Sequence, residues 1–211
     1  MKPSLSLYRF QPGHWLFVCA VILLSGCGTL QKAPETLSTS EKEAVWQQTL
    51  LHQANVKQWG LSGRLGLRIP GRSGSLSLNW SQNHGAYTLL LEGPFGQSIA
   101  TIKGGKYGVV ARVQGQDKPV SGPDAEAVMM RVTGWDLPVS YLQYWARGIP
   151  VPEISANVTL NDQGVADRII QQGWTVNYAA YRKESGRLMP SRLKVSKDAI
   201  SLVLSISQWT L

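Results

Sequence analysis

The chain reads as an α+β protein: about eleven antiparallel strands curled into an incomplete barrel, with one N-terminal helix and a helical insertion over its mouth. Three observations predict this. From Leu61 onward, apolar residues recur at every second position in short runs, as in Leu61, Leu65, Leu67 and Ile69 against Ser62, Arg64 and Arg68. The runs are separated by turn residues, Pro70-Gly71, Asn83-His84-Gly85, Gly93-Pro94 and Gly104-Gly105, at the spacing of a meander. The alternation stops once, between about residues 121 and 150, where two short stretches take a helical period. With 211 residues, 43% apolar and 16% charged, the chain can bury one substantial core and is not disordered as a whole.

The N-terminus reads as an address. Lys2 and Arg9 precede an uncharged run from Trp15 to Leu24, which has the length of a signal-peptide core and is too short to span a bilayer. Leu24-Ser25-Gly26-Cys27 then resembles a bacterial lipobox, whose cysteine is acylated and becomes the new N-terminus. Residues 1–26 are thus expected to be removed, Cys19 with them. Cys27 is expected to carry a diacylglycerol and an N-acyl chain, palmitate for instance, with no other cofactor and no metal. The shortened chain has 185 residues and a charge of +6. In an oxidising periplasm that balance points to anionic lipid surfaces or an acidic protein partner rather than nucleic acid. Gly28 stands where Asp marks inner-membrane retention in many Gram-negative lipoproteins, so the outer membrane is the expected destination.

Residues 27–39 are polar, contain Pro34 and read as a tether reaching roughly 40 Å at about 3.3–3.6 Å per residue. A single domain is expected over 40–211. Ser40 and Glu43 have the spacing of a capping box, and a helix should follow to about Lys57 with Trp46, Leu50 and Ala54 as its apolar stripe. Leu76, Leu78 and Trp80, then Tyr87, Leu89 and Leu91, continue the strands. Ser121 to Asp124 opens the first inserted helix, with Ala125, Val128, Met129 and Val132 inward and Gly134 as its end. Pro138 opens the second, with Leu142 and Trp145 inward, and Gly148 and Pro150 stop it. Strands resume at about 154–160, 166–171, 174–181, 190–196 and 200–209, the last marked by Ile200, Leu202, Leu204 and Ile206.

No catalytic signature accompanies this pattern. There is no zinc-protease, phosphate-loop or nucleophile-elbow motif. Beyond residue 27 the only histidines are His52, on the first helix, and His84, in a turn. Most carboxylates stand at helix starts or turns, where structure accounts for them. The chain is therefore not expected to be an enzyme. Leu76, Leu78, Trp80, Leu89, Leu91 and Ile102 share one strand face, which is either plain core or the wall of an apolar pocket. Arg64, Arg68 and Arg112 are either a solvated strand face or a surface that steers a partner.

One loop is different. Gly93-Pro94-Phe95-Gly96 joins two strands, and Phe95 is the only Phe after the first 26 residues. Turn tips rarely need a large apolar side chain. Phe95 either folds back on the sheet or is an apolar tip that touches lipid.

Taken together, the lipobox, the capped helix, this loop and the stretch Thr133-Gly134-Trp135-Asp136-Leu137-Pro138-Val139, followed by Trp145-Ala146-Arg147-Gly148-Ile149-Pro150, resemble the LolB family of outer-membrane lipoproteins. The resemblance covers essentially the whole chain after the signal. It implies an unclosed β-barrel with a helical lid and an apolar cavity. It also implies a receptor that takes lipoproteins from the soluble periplasmic carrier LolA and passes them to the outer membrane without ATP. An apolar residue on a protruding loop is implicated in delivery. Gly93, Pro94, Phe95 and Gly96 match that loop, where relatives often carry Leu in place of Phe95. On this basis the acyl-chain cavity is assigned to Trp46, Leu65, Leu76, Leu78, Trp80, Leu89, Leu91, Ile102, Trp135, Leu142 and Trp145. A monomer is expected, with LolA, lipoprotein acyl chains and outer-membrane lipids as partners. The competing reading is an envelope lipoprotein that binds or senses a lipid and transfers nothing.

Overall fold

The first helix opens on a reciprocal cap. In this computed structural model, which describes residues 37–211, Ser38 Oγ accepts from Glu41 N at 3.3 Å and Glu41 Oε2 accepts from Ser38 N at 2.8 Å. Helix α1 follows over Thr39–Asn55. The cap thus falls two residues before the expected Ser40–Glu43 pair, and Glu43 instead accepts from Gln47 Nε2 one turn on, at 2.8 Å. Cys27 and most of the tether lie outside the described residues.

The buried face of α1 is set by Trp46 and Gln53, with Leu50 half-buried, while Ala54 is exposed. At 3.6 residues per turn, residue 53 returns to the azimuth of residue 46, and residue 54 lies well off it. The helix stops short of Lys57 because side chains take its last carbonyls. Arg147 Nη1 donates to Gln53 O at 2.8 Å and Val56 O at 3.3 Å, and Lys57 Nζ donates to Ala54 O at 2.7 Å.

Eleven strands then form one antiparallel sheet. They are β1 (Gln58–Ile69), β2 (Arg72–Asn83), β3 (Ala86–Glu92), β4 (Ser98–Gly105), β5 (Gly108–Val113), β6 (Val120–Gly122), β7 (Asn157–Leu160), β8 (Ala166–Gln171), β9 (Trp174–Glu184), β10 (Arg187–Lys197) and β11 (Ile200–Thr210). The order is β6-β5-β4-β3-β2-β1-β11-β10-β9-β8-β7, so β6 and β7 are free edges and the barrel is unclosed. The last strand closes onto the first, with Leu65 opposite Leu204 and Leu67 opposite Leu202. That pairing is interrupted by a bulge at Ser62/Gly63. There a Cβ on Gly63 would lie 2.2 Å from Ser205 O, so only glycine fits.

Between β6 and β7 the chain leaves the sheet as helices α2 (Ala125–Thr133) and α3 (Val139–Trp145). Asp124 caps α2, its Oδ1 accepting from Ala127 N at 2.7 Å. The start of α3 has no cap of its own. Glu126 on α2 supplies one, accepting from Ser140 N at 2.8 Å and Ser140 Oγ at 2.7 Å. A carboxylate at a helix N-terminus also opposes the dipole, so α2 and α3 are held together as one lid. β6 is a three-residue edge strand where the sequence pattern predicts only a helix start.

The inner face of the sheet and the lid enclose one core, including Trp80, Leu89, Ile102, Val128, Trp145, Met189 and Leu193. The outer face carries the alternate residues of each strand, mostly polar, with Val110 and Ile170 as exposed apolar exceptions. Among the described residues, no helix is long and apolar enough to cross a membrane.

Candidate functional site

The site is built where α2 and α3 cross the inner face of β1–β4 and β10–β11. An enclosed cavity of about 70 Å³ lies there, lined only by apolar side chains. Of the residues expected from sequence, Leu65, Leu78, Trp80, Leu89, Leu91, Ile102 and Leu142 line it. Strand register explains why they meet. Leu78 lies opposite Leu91, Trp80 opposite Leu89, and Leu89 opposite Ile102, so one inward row crosses three strands. Trp80 keeps its indole N–H satisfied at the edge, donating to Gln82 Oε1 at 3.3 Å.

Four expected residues do not line the cavity. Leu76 is opposite Leu65, but β3 ends opposite Ser77, so Leu76 has no neighbour on that side and sits half-buried at the rim. Trp135 is half-buried in the link between α2 and α3, where its backbone N–H donates to Thr133 Oγ1 at 3.1 Å. Trp46 is buried on α1 as part of the core and is not among the side chains that line the cavity. Trp145 is fully buried over β8 and β9, with Trp174 at 6.4 Å between ring centroids and its N–H donating to Gln171 Oε1 at 3.0 Å.

Six lining residues escaped the sequence reading: Met129, Leu137 and Val139 from the lid, and Val195, Leu202 and Leu204 from the last two strands. Met129 and the alternation of Leu202 and Leu204 were legible as inward positions. Their meeting with β2 and β3 depends on β11 pairing with β1, which no local pattern encodes.

The anchored end of the lid is polar and fully paired. Gln171, 1% exposed, accepts from Trp145 Nε1 and Val151 N, and donates to Val151 O and Ile154 O. Tyr178 Oη donates to Trp145 O at 2.8 Å, and complete burial pushes that phenol well above its ordinary value. Arg147 donates to Gln143 O at 3.0 Å and lies against the Trp59 and Tyr144 rings. Burial lowers its guanidinium from the ordinary value, and α1 carbonyls and ring faces stabilise the charge in place of a carboxylate. The α3 end of the lid is therefore held by paired polar groups, while α2 lays Met129 over the apolar wall.

Size decides what the cavity is in this conformation. An apolar void of about 150 Å³ accommodates a benzene. At about 70 Å³ this one is too small for an acyl chain. A larger depression of about 590 Å³ exists, but it is an open trough whose lining mixes Ser62, Asn79, Ser81 and Thr88 with Leu90 and Leu211.

The loop between β3 and β4 is stiff and its apolar side chain is outside. Gly96 N donates to Gly93 O at 3.0 Å across a turn with Pro94 second, and Gly93 N donates to Gln97 O at 2.9 Å. Gln97 Oε1 accepts from Phe95 N at 3.1 Å, and Gly96 takes φ 76°, a conformation open to glycine. Phe95 does not fold back: it is 94% exposed.

A half-barrel with a helical lid, an interior of apolar side chains and a rigid apolar tip outside defines a protein built to shelter and pass on apolar chains. The family and sequence relatives agree. The family described as outer membrane lipoprotein LolB matches residues 57–209. The outer-membrane lipoprotein LolB of Stutzerimonas stutzeri is 31% identical over 90% of this chain and 92% of its own. That of Pseudomonas aeruginosa is 33% identical, over 92% and 94%. Among solved structures, a LolA superfamily protein from Nitrosomonas europaea overlays with a TM-score of 0.46 at 10% identity, over 78% of this chain and 92% of that one. The chain belongs to the LolB family of outer-membrane lipoproteins, and its place is the outer membrane.

Proposed function

We propose that this protein receives lipoproteins from the periplasmic carrier LolA into the cavity beneath its lid and inserts them into the outer membrane. The observation that carries this reading is the pairing of an enclosed, wholly apolar interior with Phe95 exposed on a stiff turn outside it. Cys27 is the acylated residue and holds the protein at the destination membrane.

The energetics call for such a receptor. At about 0.8 kcal/mol per buried methylene, one acyl chain of about 14 methylenes costs roughly 11 kcal/mol to expose to water. A lipoprotein with several chains cannot cross the periplasm free. The receptor must offer burial at least equal to that of the carrier, and the bilayer must offer more, so transfer runs downhill without ATP.

In the mechanism the carrier docks at the mouth, and the lid swings about its Trp145–Gln171 end. Chains slide against Leu78, Trp80, Leu89, Leu91 and Ile102, replacing the side chains of Met129 and Leu142 that occupy the closed interior. Delivery follows when Phe95 enters the leaflet. Burial of one Phe gives about 1.5–3 kcal/mol, enough for repeated contact and too little for permanent insertion. Gly93, Pro94 and Gly96 hold that side chain outward.

The test is transfer in solution. Carrier loaded with a lipoprotein is mixed with this protein carrying Cys27→Ala, and the cargo is followed by separating the two proteins. One cargo taken per receptor supports the reading and assigns Cys27 to placement alone. No transfer to this form or to the acylated one would overturn it in favour of a lipid-binding protein without transfer activity.

A further inference from the structure

The outer face of the sheet carries a group of cations that cargo transfer does not use. Arg64 on β1 lies opposite Ser205 on β11, which lies opposite Arg192 on β10. In the next outward row Lys194 on β10 lies opposite Asn177 on β9, which lies opposite Arg168 on β8. Arg68 stands one row further along β1. At about 4.8 Å between strands and about 6.8 Å between alternate residues, each of the five cations has another within one or two side-chain lengths, and the group extends about 20 Å across the sheet. All five are exposed. Among the described residues none forms a salt bridge or a side-chain hydrogen bond.

The acids on that face do not neutralise them. Asp167 borders the same shallow groove as Arg192 and Lys194 without pairing to either, and Glu92 is engaged by Asn79 Nδ2 at 3.2 Å. An unpaired patch of one sign is what a counter-charged surface recognises. Guanidinium forks suit phosphate oxygens.

We propose that this face binds the anionic phospholipid headgroups of the membrane to which the protein is anchored, and so sets the tilt at which Phe95 meets the leaflet. Three features favour a lipid surface over an acidic protein. The face offers no exposed aromatic anchor of the kind that dominates protein interfaces. The chain is held beside a bilayer, where even a weak electrostatic attraction is sampled continuously. The patch is also continuous with the lipid-seeking edge: β1 runs through Arg64 and Arg68 toward the same end of the sheet at which β3 passes into the Phe95 loop. The other exposed aromatic, Tyr107, is in the β4–β5 turn at the opposite end with Lys106. The proposal does not require that the protein transfer cargo.

The experiment footprints lysines on the acylated, full protein in vesicles. An amine-reactive reagent is applied, and modification of Lys194 is read by mass spectrometry relative to Lys106, which faces away. On phosphatidylethanolamine vesicles containing about one-fifth phosphatidylglycerol, Lys194 labelling should fall roughly threefold relative to vesicles without it. The protection should vanish in about 1 M salt, where the Debye length is about 3 Å. It should also vanish in the Arg64→Gln/Arg192→Gln double variant. Equal labelling of Lys194 on both vesicle types would overturn the proposal. So would protection by soluble polyglutamate without protection by anionic vesicles, which would make the patch a dock for an acidic protein.

Discussion

The two halves of the sheet treat the same problem differently. Over β8–β10 the inner face is filled solid: Trp145, Ile169, Met189, Val176 and Leu193 are all inaccessible, and the buried polar Gln171 has all its bonds made. Over β1–β4 an equally apolar inner face is covered by the lid without being filled, and a void remains. Tight packing gives one half a unique, stiff arrangement. The half that borders the void is packed less tightly, although α2 is itself seated there, with Ala125 and Val128 buried against β5 and β6. The contrast teaches that one lid covers two packing densities, and that the space for change lies over β1–β4.

Trp145→Ala should break the solid half. It empties a large site and strands Gln171, so a loss of about 3–5 kcal/mol is expected. Thermal unfolding should read this as a drop of roughly 10 °C, at about 2–4 °C per kcal/mol for a chain of this size. A paired comparison sharpens the point. Leu193→Ala should cost about 4 kcal/mol and Leu91→Ala about 2, because Leu91 already borders a void, and denaturant titration measures both. If the two losses are equal, the halves are packed alike.

Glu126→Ala removes the carboxylate that joins α2 to α3. A loss of about 1.5–3 kcal/mol is expected for bonds to a charged group, together with stronger binding of an apolar fluorescent dye as the lid loosens. Phe95→Glu should have the smallest effect on stability, within about 0.5 kcal/mol, since that side chain touches almost nothing. Its whole effect should fall on delivery.

Much of the fold was legible because it is local. Alternation marked the strands, Asp124 and Gly134 marked α2, and Pro138 marked α3. The capping box was displaced because Ser38 and Ser40 both precede a Glu by three residues, and only packing of the whole helix chooses between them. Within the site, residues adjacent along β2–β4 were found because hairpin register brings them together. Trp145 and Trp46 were misplaced for the opposite reason: their periodicity says inward, and only tertiary contacts say into which half. Val195, Leu202 and Leu204 needed the β1–β11 closure, a pairing across more than a hundred residues. Phe95 stood out as an apolar residue at a turn tip because a turn has no local use for it, and the structure shows it exposed. The five outer cations are scattered in sequence and become one surface only in the register of five strands.

The most direct test of the central claim follows one cargo through both steps in two variants. Leu65→Trp fills the cavity from a half-exposed position where the extra bulk is tolerated, and Phe95→Glu alters only the tip. With loaded carrier and vesicles, Leu65→Trp should leave the cargo on the carrier. Phe95→Glu should take the cargo and retain it, with delivery to vesicles at least tenfold slower than wild type, the scale set by about 1.4 kcal/mol. Full acceptance by Leu65→Trp, or delivery by Phe95→Glu at the wild-type rate, would contradict an interior that receives and a separate tip that inserts.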